Sequence, residues 1–168
     1  RWMAPHGCFR CAGDDAWISI AVRNDAGWRA LAALIDPALV DDARFATLES
    51  RQTNEDALEA LVRGFTVSRE RWSLTRQLQA LGIAAYPSLT ARDIVESEHL
   101  NARGLIEHLP HPEVGARAHV GIPWRLAVRG GGVRSPAPCL GADSGAFARE
   151  LGYSGDRVAE LFAQGVLE

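Results

Sequence analysis

The chain has 168 residues, 47% of them hydrophobic and 23% charged, with a net charge of −3. This is a globular composition, long enough for one ordinary domain or for one small domain plus a tail, and the weak negative charge gives no electrostatic reason to expect nucleic acid. Its 18 basic residues are all arginine, which excludes a lysine Schiff base and the lysine of a P-loop.

No apolar run approaches the roughly 20 residues of a membrane helix, and residues 1–20 lack a signal-peptide core. Three cysteines, an odd number, fit a reducing cytoplasm better than a disulfide scaffold. The first residue is Arg1 rather than a methionine, so a portion cut from a longer protein is the simplest expectation.

Gly7 to Cys11 and Trp17 to Val22 read as two strands around a turn at Ala12-Gly13-Asp14-Asp15. Ile18, Ile20 and Val22 share one face of the second strand. Asp25 stands where a helix cap belongs. Trp28, Leu31, Ala32 and Ile35 follow at i, i+3, i+4 and i+7, and Pro37 ends the helix. A second helix is expected from Asn54, as cap, to Phe65, with Leu58, Leu61, Val62 and Phe65 inward. A third starts at Ser68, carries Trp72, Leu74, Leu78 and Leu81, and stops at Gly82.

Ile83 to Leu89 reads as extended, with small helices near Ala91 to Val95 and Ser97 to Ala102. Glycine and proline punctuate residues 104–138, where Leu105 to Leu109 and Ala118 to Ile122 are the expected strands. Two helices close the chain. One spans Asp143 to Leu151 before Gly152; the other starts at Ser154, turns Val158, Leu161 and Phe162 inward, and stops at Gly165. An internal boundary is expected between about Gly82 and Gly104.

Several constellations invite a chemical reading. Cys8-x-x-Cys11 beside His6 has the spacing of a metal or redox pair, but residues three apart on a strand face opposite ways. Ala12 stands where a c-type haem site needs histidine, and no helix opens there to stabilise a thiolate. His108-Leu109-Pro110-His111-Pro112 reads as an extended loop with Glu107 and Glu113 as solvated neighbours, not as a ligand set. Gly130-Gly131-Gly132 has no helix after it to aim amides at a phosphate, and reads as a flexible turn. Asp14-Asp15, Asp42-x-Arg44 and Arg51-x-x-Asn54 read as turn and capping groups. Five scattered histidines support no serine-histidine-acid triad. Residue chemistry alone ends at an α/β or α+β piece without an assembled site.

The order of segments resembles the C-terminal part of the family III CoA-transferases, the CaiB/BaiF family of formyl-CoA and carnitine CoA-transferases. The resemblance is carried by Pro5-His6-Gly7, Arg10-Cys11-Ala12-Gly13-Asp14-Asp15, Trp17 through Val22, and Trp28. It continues in Asp42-Ala43-Arg44-Phe45-Ala46-Thr47, Arg51, Asn54, Leu78 through Pro87, His99-Leu100 and Gly121-Ile122-Pro123. Pro136 through Gly141 and Leu151-Gly152 complete it.

It implies an interlocked homodimer whose large domain carries a Rossmann-like sheet, with a smaller α+β domain inserted. Residues 1–88 would belong to that small domain. Residues 89–168 would be a linker and a C-terminal segment packing on the large domain. Family members move CoA from an acyl-CoA to a carboxylic acid through an aspartyl nucleophile, a mixed anhydride and an aspartyl-CoA thioester. The aspartate and most CoA contacts belong to the family's N-terminal half. No catalytic residue of this chain is therefore carried over, which residues touch CoA is left open, and no metal is expected. CoA enters as a thioester substrate rather than a tightly held cofactor, with no membrane partner.

Two departures stand out. Ala142-Asp143 replaces the glutamate-histidine pair that usually follows Leu-Gly, and Arg23-Asn24-Asp25 follows the second strand where related racemases often carry a glutamate. The competing readings are a non-catalytic dimerisation or interaction module and an α-methylacyl-CoA racemase-type member.

Overall fold

The computed structural model describes residues 2–128 and 131–168 and divides into two compact units, Arg1–Leu89 and Thr90–Glu168. The first is built on strands β1 (His6–Arg10), β2 (Trp17–Ala21) and β3 (Ala84–Pro87), antiparallel and in that order across the sheet. The β1–β2 loop closes with Cys11 N–H donating to Ala16 O at 2.7 Å, and Gly13 (φ 111°) and Asp15 (φ 44°) supply its left-handed turns. Period-two alternation sends Phe9, Ile18, Ile20 and Ala85 into the core and leaves Cys8, Ser19 and Tyr86, paired across the three strands, exposed.

Helix α1 (Asp25–Ile35) buries Trp28, Leu31 and Ala32, as the spacing predicts, but its cap is Asn24, whose side chain accepts from Gly27 N–H at 2.9 Å. Asp25 takes the first helical position, where a carboxylate suits the helix dipole. Pro37 opens a 3₁₀ turn (Pro37–Asp41), capped by Asp36. Helix α2 (Leu48–Thr53), not expected from the apolar pattern, starts at a Thr47–Ser50 capping box.

In α3 (Glu55–Thr66), Leu58, Val62 and Phe65 are buried. Asn54 holds the cap position yet caps nothing: its amide donates back to Arg44 O (3.2 Å) and Ser50 O (2.9 Å). The cap of α4 (Arg71–Ala80) is Glu70 instead of Ser68, its two oxygens accepting from Trp72 N–H (2.8 Å) and Ser73 N–H (2.7 Å). Leu74 and Leu78 face the core, while Leu81 lies beyond the last turn and is exposed. Thr66 Oγ1 donates to Arg10 O at 2.8 Å and ties α3 to the sheet.

The second unit holds α5 (Ala91–Glu96), α6 (Glu98–Ala102), the hairpin of β4 (Ile106–His111) and β5 (Gly115–Val120), α7 (Ser144–Glu150) and α8 (Gly155–Ala163). The expected extended loop at His108 to His111 is strand, and β5 starts three residues earlier than its apolar residues suggest. A two-stranded hairpin leaves half of each strand's N–H groups unpaired, so Pro110 is accommodated opposite Ala116. In α8 Val158 is buried, whereas Phe162 is exposed rather than inward.

The units differ in core. Among the described residues, nineteen buried apolar side chains belong to the first unit, and the second contributes only Ile106, Ala148 and Val158. Twelve large apolar side chains stand exposed in the second unit against four in the first. No helix among the described residues is long and apolar enough to cross a membrane.

Candidate functional site

Most candidate residues turn out to hold backbone. Cys8 is exposed on the open sheet face with Sγ 3.8 Å from Ser88 Oγ, while Cys11 is buried beyond the end of β1. Burial, with Glu70 and Cys8 adding to it, pushes the Cys11 thiol up, away from thiolate chemistry. Cys139 lies in the second unit beside Glu113; partial burial and that carboxylate push its thiol up too.

His111 Nδ1 accepts from Glu113 N–H (3.1 Å) and Val114 N–H (3.4 Å), so it closes the β4–β5 turn, and His108 is exposed. Glu107 is no solvated neighbour. It is half-buried over Gly121, and both its oxygens accept from Val133 N–H at 3.2 Å. That bond secures the segment after the glycine run; Gly130 itself lies outside the described residues. Among the described residues, no three His, Cys, Asp or Glu side chains are grouped to hold a metal ion.

Asp14 is an exposed turn residue, and Asp15 accepts from Trp17 Nε1–H at 2.8 Å. Asp42 pairs with Arg44 at 2.6 Å; the Arg44 side chain first, and its backbone N–H second, hold the carboxyl below the usual range.

Arg51 departs furthest from expectation. It is no surface capping group but fully buried, donating to Ala4 O (2.9 Å), Phe45 O (3.0 Å) and Asp25 Oδ1 (2.8 Å), with its guanidinium 5.9 Å from the Trp28 ring centre. Three chain segments meet on one planar fork, which lysine could not span. Nothing in the sequence around Arg51 marks it as buried.

A hollow of about 540 Å³ opens beside the exposed sheet face, bordered by His6, Ser19, Ala21, Ala84 and Tyr86. His6, Ala21 and Ala84 form one rung of the sheet, and the Ser19–Tyr86 pair belongs to another. Two alanines between larger neighbours make the depression. Tyr86 is steadied by an edge contact with Trp72 at 6.0 Å, and on the α4 side Gln79 Nε2 donates to Ala85 O at 2.9 Å. No Asp or Glu lines it.

An antiparallel α+β unit with one open sheet face is thus followed by a unit with few buried apolar side chains. The chain belongs to CoA-transferase family III, whose sequence pattern matches residues 1–144. A probable CoA-transferase of Mycobacterium tuberculosis, Rv1866, is 34% identical over 167 residues, covering 96% of this chain and 21% of its own length. The formyl-CoA:oxalate CoA-transferase of Streptomyces avermitilis is 30% identical over 167 residues, covering 97% of this chain and 40% of itself. A solved CAIB/BAIF family protein from Brucella suis superposes with a TM-score of 0.71 at 27% identity, over 89% of this chain and 38% of that one. The chain thus spans between 21% and 40% of the length of these curated relatives.

Proposed function

We propose that this chain is the C-terminal portion of an enzyme that moves CoA from an acyl-CoA donor to a carboxylic acid, with the aspartyl nucleophile outside these residues. In this reading residues 1–88 are the small domain, and residues 89–168 are a linker and a segment that packs on the large domain of an interlocked cytoplasmic homodimer. CoA serves as a thioester substrate and is not held as a resident cofactor.

The uneven core is the observation that carries the reading. A unit with three buried apolar side chains and twelve exposed large ones has its apolar surface arranged for something else to cover. The partial span of the relatives supports the same conclusion.

Thioester exchange decides the matter. The 168-residue chain, mixed with an acyl-CoA and a carboxylic acid, is expected to give no new acyl-CoA by chromatography, and the full-length protein to give turnover. Robust transfer by the chain alone would overturn the reading.

A further inference from the structure

The hollow on the open sheet face has a make-up that its size alone does not explain. Its floor is small and apolar where Ala21 and Ala84 stand side by side, and the neighbouring rung, Ile20 and Ala85, borders it with backbone alone because both side chains turn into the core. Around it stand groups that donate hydrogen bonds: the Ser19 and Tyr86 hydroxyls and the His6 imidazole. No carboxylate faces it, although the chain as a whole is acidic. An apolar floor with hydrogen-bond donors and no carboxylate at its edge suits a short acid, its hydrocarbon part on the alanines and its carboxylate toward the donors. A hollow of about 540 Å³ is of a size that takes a small organic ligand. A cation would find no counter-charge, and a long chain would run out onto the exposed face.

We infer that this hollow seats the hydrocarbon part of a short-chain carboxylic acid, with Ala21 and Ala84 setting the chain length accepted and Ser19, Tyr86 and His6 facing the carboxylate. The inference rests on the transferase reading for its ligand class, but binding belongs to this chain and is measurable without catalysis. Ala84 is exposed, so a larger side chain there fills the hollow without entering the core.

The test is a titration of the isotope-labelled 168-residue chain with butyrate, hexanoate and, as the cationic counterpart, butylamine, followed by amide and methyl NMR shifts. Saturable shifts at His6, Ser19, Ala21, Ala84 and Tyr86 with the carboxylates, and none with butylamine, are expected. Ala84→Phe should abolish them while leaving distant signals in place, and Ser19→Ala, which keeps the floor intact, should weaken butyrate binding about tenfold or less. Equal shifts with butylamine, shifts centred elsewhere, or none at millimolar concentrations overturn the assignment.

In the full-length enzyme, Ala84→Phe should lower kcat/KM for hexanoate relative to acetate by about tenfold or more. An active wild type whose preference Ala84→Phe leaves unchanged sinks the hollow but keeps the transferase reading. A wild type without transfer sinks the transferase reading, and the titration still decides the hollow.

Discussion

Replacing Arg51 by methionine keeps much of the side-chain volume and removes every donor from a fully buried site. The Ala4 and Phe45 carbonyls, now bonded at 2.9 and 3.0 Å, would be left without their donor. Hydrogen bonds to a charged donor contribute about 1.5–3 kcal/mol each, so the gross loss is about 3–6 kcal/mol. Relief from burying the guanidinium offsets part of this, because a buried charge carries a desolvation penalty of several kcal/mol. Asp25 adds little in return, since its side chain is 51% exposed and is rehydrated when the pair is lost. The net expectation is a loss of about 3 kcal/mol for Arg51→Met. Asp25→Asn should cost no more than about 1 kcal/mol. Urea unfolding followed by tryptophan fluorescence, with the slope unchanged between variants, measures both. If Arg51→Met lies within about 1 kcal/mol of wild type, the carbonyl bonds are not what hold these segments together.

At Gly121 a methyl group would overlap the Glu107 carboxylate and come within 2.9 Å of Leu105 O, so Gly121→Ala should speed amide exchange at Gly121 and Val133 while leaving the first unit's amides unchanged. Unaltered exchange at both positions would refute the close fit. Burial draws the Glu70 carboxyl upward, but the Trp72 and Ser73 N–H donors and the Arg76 and Arg71 charges outweigh it and hold the group below its usual range. Its contribution is therefore present above the unfolded carboxyl value near 4.5 and is lost as the pH falls through the lower folded value. The stability gap between wild type and Glu70→Gln should accordingly narrow on acidification from pH 7; a gap that widens contradicts the sign. In mild iodoacetamide near neutral pH, Cys8 should be alkylated in the folded chain and Cys11 only after urea is added, as read by mass spectrometry.

Periodicity exposed the parts of the fold that depend on a local pattern. Trp28, Leu31 and Ala32 face the core where their spacing puts them, and the β1–β2 alternation separates Cys8 from Cys11 as expected. Caps were harder to assign because neighbouring residues compete for the same amides. Asn24 displaces Asp25, which is drawn instead to Arg51, and Glu70 reaches the free amides that Ser68 stands too far back to meet. Pro110 suggested a loop because proline cannot donate, and only the pairing of β4 and β5 shows that no donor is needed there. Arg51 illustrates the limit of local reading. Its burial is decided by residues 4, 25 and 45, and no window around it carries that information. The hollow was equally invisible, since its two alanines are 63 positions apart and meet only through the β2–β3 pairing.

The thin core of the second unit also bears on how long a copy of this chain survives. Cooperative resistance to opening grows with buried apolar contact, and a segment with three such side chains opens at a free energy well below that of a unit with nineteen. Proteases cut from open states, so cleavage should begin beyond Thr90 and spare the sheet and its helices. Any surface that covers the exposed apolar groups of α7 and α8 would close that route, and the lifetime of the chain would then report whether that surface has been met.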